Sequence, residues 1–203
     1  MDTSSATWWR SDSLAEAGSG GSGLCPAVFL DRDGTLIEDV GFLCTPSELR
    51  LLPGAARAVS LLREAGFLVV IVSNQSGIAR GYLTEETLAD IHEALRDELR
   101  AHGADVDAIY YCPHLPDGTV SEYSRECECR KPSPGMLLRA ARDLGIDLSS
   151  SFAVGDSERD VLAGHNAGCR TILLGGETAE ETVADARVRG LLEAAFMIVK
   201  RQL

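Results

Sequence analysis

The chain has 203 residues, of which 45% are hydrophobic and 25% are charged. This composition is typical of a globular protein with one hydrophobic core. The formal net charge of -12 opposes binding to nucleic acid or to an anionic membrane surface. An anionic substrate would therefore need a local cluster of cations or a metal ion.

Residues 1–23 are predicted to be a disordered tail, because they are mostly polar and end in a linker of Gly and Ser. They contain no basic start followed by an apolar run, so no secretory signal is expected, and no later apolar run is long enough to span a bilayer. We therefore expect a cytoplasmic protein without a membrane partner. We also expect a monomer whose residues 24–203 form a single domain.

The first predicted strand is the apolar run at 27–30, which ends in Asp31-Arg32-Asp33-Gly34-Thr35. The carboxyl end of a buried parallel strand borders the ligand crevice of an open α/β fold. Asp31 and Asp33 can lean the same way there, and two close carboxylates repel unless a cation or proton lies between them. The pattern indicates a metal site, with a turn of solvated aspartates as the alternative for this stretch alone.

A loop over the site is predicted at 37–52, followed by a helix that Pro53 opens and Gly66 closes. The β-branched run at 67–72 predicts a second strand, which ends in Ser73-Asn74-Gln75-Ser76-Gly77. A polar, glycine-rich turn of this kind can hold a phosphate, with an ordinary polar loop as the alternative. Thr84 is then predicted to cap a helix whose apolar stripe is Leu88, Ile91, Leu95 and Leu99.

The later elements continue the alternation of strand and helix. Strands are predicted at 106–111, 152–156 and 171–174, with helices at 133–144 and up to Ala167, and the remainder is helix-prone with a further strand near 196–199. This order predicts an α/β fold, a doubly wound parallel sheet with helices on both faces. No inserted block is large enough for a separate cap domain.

A cluster of metal-ligand residues lies after the third strand, in Cys112-Pro113-His114 and Cys127-Glu128-Cys129. Three thiolates and one imidazole are a complete tetrahedral set, typical of structural Zn²⁺, with unrelated buried thiols as the alternative. Cysteines in a reducing compartment also favour metal ligation over disulfides. Arg130 and Lys131 follow the last ligand and supply the local positive charge that an anionic substrate requires.

The motif Asp31-x-Asp33-Gly34-Thr35 resembles the first motif of the haloacid dehalogenase superfamily of phosphohydrolases. The resemblance implies a Rossmann-like core in which Asp31 is the nucleophile that accepts the phosphoryl group and Asp33 is the general acid and base. Mg²⁺ would bind Asp31, the backbone carbonyl of Asp33, and Asp156. Ser73 and Lys131 match the second and third motifs, which hold the phosphoryl group. Asp160 would bind Lys131 or a water on the metal.

Within that superfamily, the loop with the four expected zinc ligands and the sequences around Asn74 and Cys112 are similar to those of the D-glycero-D-manno-heptose-1,7-bisphosphate phosphatases and the related histidinol-phosphate phosphatases. The resemblance implies Mg-dependent hydrolysis of a phosphate monoester through an aspartyl-phosphate, in which the 7-phosphate of the heptose bisphosphate is the group expected to be removed. Histidinol phosphate or another small sugar phosphate is the alternative substrate. The expected substrate contacts are Asp39, Ser73, Asn74, Gln75, Ser76, Arg130 and Lys131.

The chain departs from the family pattern at two positions that face the substrate in the family. It has Phe42 and Ser157 where the family has Tyr and Lys, which leaves the preferred substrate and anomer open. A third interpretation, disfavoured because all the catalytic motifs are present, is a non-catalytic interaction protein organised by zinc.

Overall fold

The computed structural model describes residues 24–175 and 181–200, so the predicted tail at 1–23 lies outside the described residues. Six strands form one sheet: β1 (Ala27–Leu30), β2 (Leu68–Asn74), β3 (Ala108–Cys112), β4 (Phe152–Gly155), β5 (Arg170–Leu174) and β6 (Ala186–Val188). Their order is β3-β2-β1-β4-β5-β6, and every neighbouring pair is parallel. The predicted parallel sheet is therefore confirmed.

Five α-helices connect the strands: α1 (Ala55–Glu64), α2 (Glu85–Ala101), α3 (Gly135–Leu144), α4 (Glu158–Ala167) and α5 (Leu191–Val199). Short 3-10 helices lie at Pro46–Glu48 and Leu148–Ser150. Helices α1, α2 and α5 pack on one face of the sheet, and α3 and α4 pack on the other. The sheet is doubly wound, and no connection in the two described ranges adds a large cap domain. None of the helices in these ranges is long and apolar enough to cross a membrane.

The second helix forms where the sequence predicts it. The side chain of Thr84 accepts a hydrogen bond of 3.2 Å from the Thr87 backbone N–H, which caps the first turn. The predicted apolar stripe, Leu88, Ile91, Leu95 and Leu99, is fully buried against the sheet. Burial of this stripe fixes α2 beside β2 and β3, which matters for the site below.

The predicted strand near 196–199 is wrong, because these residues belong to α5. Leu191, Ala194, Ala195 and Ile198 are buried at helical spacing, so one face of α5 meets the core. A short apolar run does not distinguish a strand from a buried helix, which explains the error. The last strand is instead β6, which pairs with β5. Other predicted element boundaries differ from the observed ones by one or two residues.

The strand order reverses between β1 and β4, and this switch point is where open α/β sheets bind ligands. Asp31 directly follows β1, and Asp156 directly follows β4. On the neighbouring strands, Asn74 of β2 pairs in register with Cys112 of β3. The parallel register therefore brings all the predicted motifs to one edge of the sheet.

Candidate active site

A cavity of about 350 Å³ opens at the carboxyl edge of the sheet. Its walls come from the ends of β1 and β2, the loop at 39–43, the segment before α3 and the start of α4. The cavity brings together every residue predicted to act in catalysis, substrate binding or magnesium binding: Asp31, Asp33, Asp39, Ser73, Asn74, Gln75, Ser76, Arg130, Lys131 and Asp156. The four expected zinc ligands, Cys112, His114, Cys127 and Cys129, form a separate cluster.

Lys131 lines the cavity and is buried, with 3% of its side chain exposed. Its Nζ lies 2.6 Å from Asp31 Oδ1 and 2.6 Å from Asp160 Oδ1, and it donates to the Val72 carbonyl at 2.7 Å. Burial alone would lower the pKa of Lys131, but the charges of Asp31 and Asp160 outweigh it and raise that pKa above its usual value. A charged ammonium is thus fixed against Asp31.

Burial raises the pKa of Asp31 to about 7, Lys131 opposes the rise, and the nearby charges of Asp160 and Asp33 add to it. One carboxylate oxygen each from Asp31, Asp156 and Asp160 lies within 4.8 Å of the others. Carboxylates packed this closely are the ligands that a hard divalent cation prefers, and such a cation would keep Asp31 ionised. The cluster therefore suits a magnesium-sized ion. Asp160 was not among the predicted ligands, and its Oδ1 is already paired with Lys131.

Two glycines let the acidic side chains approach the strand ends. Gly34 has a φ of +74°, and a Cβ there would collide with the carboxylate of Asp156. A Cβ on Gly155 would collide with the side chain of Asp160. Larger residues at these positions would push the carboxylates out of the cluster. The first motif therefore needs glycine at position 34, because a side chain there would take the space of the Asp156 carboxylate.

Asp160 also accepts hydrogen bonds at its Oδ2 from the backbone N–H of Ser157 at 3.1 Å and from the Ser157 hydroxyl at 2.6 Å. These bonds close the first turn of α4 while Oδ1 binds Lys131. Ser157, one of the two departures from the family pattern, therefore helps to orient Asp160 and also lines the cavity.

The carboxylate of Asp33 is not part of the acidic cluster and accepts hydrogen bonds from three neighbours, the longest of them from Ser73 Oγ at 3.5 Å. Arg32 donates to it through Nη2 at 2.9 Å and through Nε at 3.2 Å. Gln75 donates through Nε2 to Asp33 Oδ2 at 3.0 Å and to Ser73 Oγ at 2.7 Å. Any metal contact of Asp33 would thus come from its backbone, as the resemblance implies, and its side chain is free of the cluster.

Asn74, predicted to contact substrate, is occupied with the backbone of Lys131. Its Oδ1 accepts from the Lys131 N–H at 3.0 Å, and its Nδ2 donates to the Lys131 carbonyl at 3.0 Å. This pair of bonds fixes Lys131 relative to β2. Arg130 donates through Nη1 to the His114 carbonyl at 3.3 Å, so its orientation depends on the cysteine loop.

The four predicted zinc ligands converge in a partly buried cluster. Cys129 Sγ lies 3.1 Å from the sulfurs of Cys112 and Cys127, and His114 Nδ1 lies 3.4 Å from Cys129 Sγ. These separations are too long for a disulfide of about 2.0 Å and approach the edge of about 3.7 Å expected for sulfurs around one tetrahedral zinc. The cluster can therefore hold a metal ion.

The pKa shifts of the three cysteine thiols also fit a metal site. A hydrogen bond from the Cys129 thiol lowers the pKa of Cys112 to about 6, while the bond with Cys112 raises the pKa of Cys129. Burial raises the pKa of Cys127. Without a cation the cluster thus favours one thiolate, and a bound divalent ion would stabilise all three.

Several cavity residues were not identified from the sequence. Arg32, Arg80 and Arg159 line the cavity, and Arg80 places its guanidinium 5.8 Å from the centre of the Phe42 ring. Phe42 meets Tyr82 edge to face, with ring centres 4.8 Å apart. Arg80 lies in the glycine-rich stretch after β2, and its charge there was the available signal. The burial of Arg32 had no such signal, because it lies between two aspartates.

A parallel sheet with paired aspartates after β1, a buried lysine before α3 and a carboxylate after β4 defines a hydrolase of the haloacid dehalogenase (HAD) class. Residues 128–193 match the HAD-hydrolase-like family model. The chain is 46% identical over 181 residues to the D-glycero-beta-D-manno-heptose-1,7-bisphosphate 7-phosphatase of Yersinia pestis, covering 87% of the chain and 96% of that protein. The Escherichia coli K12 protein of the same name is 41% identical over 182 residues, with 87% and 95% covered.

A solved structure agrees with these relatives. The D,D-heptose 1,7-bisphosphate phosphatase from B. bronchiseptica, complexed with magnesium and phosphate, is 36% identical, with a TM-score of 0.74 over 87% of this chain and 99% of that one. The chain belongs to the D-glycero-beta-D-manno-heptose-1,7-bisphosphate 7-phosphatase family of HAD phosphatases. The resemblance seen in the motifs is confirmed, and with it the class of phosphoric monoester hydrolase.

Proposed function

We propose that this protein removes the 7-phosphate of D-glycero-β-D-manno-heptose 1,7-bisphosphate in a Mg²⁺-dependent reaction through an aspartyl-phosphate on Asp31. The names of the relatives support the substrate, and the magnesium and phosphate bound to the B. bronchiseptica enzyme support the chemistry. The observation that carries the proposal is the ion pair of 2.6 Å between Lys131 and Asp31, which lie 100 residues apart in sequence.

In the first step, a carboxylate oxygen of Asp31 attacks phosphorus and the ester P–O bond breaks. Asp33 gives its proton to the leaving sugar oxygen. Phosphoryl transfer depends mainly on positioning and on stabilising charge, and the Lys131 ammonium lies beside Asp31 to stabilise the phosphoryl oxygens. The ammonium is already buried and paired, so little reorganisation is needed.

In the second step, Asp33 takes a proton from a water molecule, and the resulting hydroxide attacks the phosphorus of the aspartyl-phosphate. The P–O bond to Asp31 breaks, which releases inorganic phosphate and restores the carboxylate. Both steps need the Asp33 carboxyl group in the same orientation. Arg32 and Gln75 fix that orientation through their hydrogen bonds to its two oxygens.

The residues that would hold Mg²⁺ are Asp31, Asp156 and the backbone carbonyl of Asp33. When bound, Mg²⁺ neutralises charge on the transferring phosphoryl group. Asp160 is better placed to orient Lys131, because its two oxygens are engaged by Lys131 and Ser157. Gly34 keeps space for the Asp156 carboxylate.

Cys112, His114, Cys127 and Cys129 would hold a structural Zn²⁺. Four protein ligands complete a tetrahedral shell and leave no position for a reactive water, so a direct role in hydrolysis is not proposed. The metal would instead order the long connection between β3 and α3. Its nearest link to the cavity is Arg130, which bonds to the His114 carbonyl.

The proposal is tested by phosphate release from a panel that includes both anomers of the heptose bisphosphate, histidinol phosphate and simple sugar phosphates. Each substrate is measured with Mg²⁺ and with a chelator, beside Asp31→Asn as the matched inactive variant. We expect the β anomer to have the highest kcat/KM, only with Mg²⁺. A preference for histidinol phosphate would overturn the substrate, and turnover by Asp31→Asn would overturn the mechanism.

A further inference from the structure

Helix α2 carries two basic side chains on its buried face, one turn apart. Arg96 is 2% exposed and is paired through Nη1 with Asp105 at 2.9 Å and with the Val106 carbonyl at 2.8 Å. His92 is 6% exposed, and its Nε2 has no hydrogen-bond partner among the residues of 24–175 and 181–200. A buried polar nitrogen without a partner is rare in native proteins and calls for an explanation.

Arg96 Nε also lacks a partner in that part of the chain, and a further such nitrogen lies on Arg32, whose side chain is 1% exposed. Nε and Nη2 of Arg32 bind Asp33 and Gln75, while Nη1 has no partner in the described part of the chain. Leaving such a group unpaired costs on the order of 1–3 kcal/mol. Arg32 can only donate, so its missing partner must be an acceptor.

His92 and Arg32 both lie beside the carboxyl ends of β2 and β3, His92 through its ring contact with Tyr111 of β3 and Arg32 through Gln75, which follows β2. The His92 ring centre lies 5.7 Å from the ring centre of Tyr111, and Tyr111 pairs in register with Ser73. Ser73 Oγ accepts from Gln75, which in turn accepts from Arg32 Nη2 at 3.0 Å. A short chain of contacts thus links His92 to Arg32.

The charge state of His92 suits an acceptor. Burial lowers its pKa well below 6.5, and the charges of Arg32 and Arg96 lower it further. The imidazole is therefore neutral at neutral pH, and a neutral imidazole has one nitrogen that accepts. That nitrogen complements the unpaired N–H of Arg32.

We propose that His92 is a positioning residue for Asp33: its Nε2 accepts a hydrogen bond from Arg32 Nη1 through one buried water, and Arg32 in turn holds the Asp33 carboxylate. Buried waters of this kind satisfy polar groups that protein atoms leave unpaired. This inference rests on the proposed function, in which Asp33 is the general acid and base. In this arrangement, the packing of α2 helps to determine the orientation of the Asp33 carboxylate.

Losing the acceptor should loosen the Arg32 guanidinium and, with it, the direction of the Asp33 carboxylate. General acid–base catalysis contributes about 10²- to 10⁴-fold, so partial misorientation should cost on the order of tenfold in kcat. Apart from Gln75, the expected substrate contacts, which all lie in the described ranges, make no hydrogen bond with Arg32, so KM should change much less than kcat. A merely structural role would not separate the two constants in this way.

The test compares His92→Phe, which removes the acceptor but keeps a ring, with His92→Gln, which keeps an acceptor near the Nε2 position. His102→Phe, at the exposed end of α2, is the matched control. Using the heptose bisphosphate and p-nitrophenyl phosphate, we expect His92→Phe to lower kcat about tenfold and His92→Gln to restore most of it. The loss should vanish when His92→Phe is combined with Asp33→Asn, because the two act through one group.

An unchanged kcat in His92→Phe, or an equal loss in the Asp33→Asn background, would overturn the inference. A crystal structure of the wild-type protein provides a test that needs neither substrate nor variant, and it decides the matter if His92→Phe does not fold. We expect a water within hydrogen-bond distance of both Arg32 Nη1 and His92 Nε2. A dry gap there would overturn the inference, whereas an inactive wild-type protein with that water in place would count against the proposed function instead.

Discussion

Replacing Lys131 with methionine removes a buried cation and keeps most of the side-chain volume. In the wild type, Nζ bridges the carboxylates of Asp31 and Asp160 at 2.6 Å each. Lys131→Met leaves these two carboxylates facing each other with no ammonium between them. Both the stability of the site and its ability to stabilise a phosphoryl group should fall.

The expected sizes follow from this burial. Removing one partner of a buried ion pair costs about 3–5 kcal/mol. For a domain of this length, each kcal/mol lowers Tm by about 2–4 °C, so the loss should be roughly 6–20 °C in metal-free protein. Saturating Mg²⁺ should reduce the loss, because a cation at Asp31 replaces part of the missing charge. The rate should fall by at least about 10²- to 10³-fold, as for loss of one preorganised charge-stabilising donor.

The assay is thermal unfolding with and without Mg²⁺, together with kcat for phosphate release. Lys200→Met is the matched control, because Lys200 is the other lysine of the chain and is exposed at the end of α5. The control should match the wild type in both measurements. A Lys131→Met protein that kept kcat within tenfold of the wild type, or that lost no stability without metal, would exclude this role of the Lys131 ammonium.

Two further substitutions test the metal sites. Cys127→Ser should release zinc, reduce kcat/KM on the order of 10²-fold by freeing Arg130, and leave Mg²⁺ affinity nearly unchanged. Substitution of the exposed Cys25 by Ser is the control and should change none of these properties. Metal analysis and steady-state kinetics test both variants, and full activity in zinc-free protein would contradict the role of the cluster in positioning Arg130. Gly34→Ala should weaken the affinity for Mg²⁺ at least about tenfold, because the new Cβ displaces Asp156. Gly66 has a similar positive φ but open space where a Cβ would lie, so Gly66→Ala should cost only the backbone strain of about 1 kcal/mol. Equal Mg²⁺ affinity in the two variants, measured by titration, would contradict the role of Gly34.

The sequence predicts the parallel sheet and the meeting of the motifs because each strand shows a strong local pattern. An unbroken apolar run such as Val69–Val72 must be buried on both faces, and parallel strands place their carboxyl ends at one edge. Asp31, Ser73 and Asp156 therefore converge once the strand order is right. The cluster of cysteines and histidine follows from sequence spacing, since Cys112 ends β3 and the other three residues lie in the connection that follows it.

The contacts around Arg32 and α5 were not predictable in the same way. A charged residue between two aspartates gives no local indication that it is buried, because its contacts include Gln75, which lies 43 residues later in the chain. The role of Asn74 toward the Lys131 backbone likewise depends on the path of a loop 57 residues away. In α5, a short apolar run fits both strand and helix, and only its packing against α1 decides.

In the proposed reaction, Asp31 forms a covalent aspartyl-phosphate. The most direct test is to incubate the Asp33→Asn variant with p-nitrophenyl phosphate and Mg²⁺, quench in acid, reduce with borohydride and locate the modified residue by peptide mass spectrometry. The p-nitrophenolate leaves without a proton, so loss of Asp33 spares the first step, while loss of the general base slows the second and the intermediate should accumulate. We expect reduction at Asp31 and none in a protein that also carries Asp31→Asn. Modification at another residue, or none while the wild type releases phosphate, would contradict it.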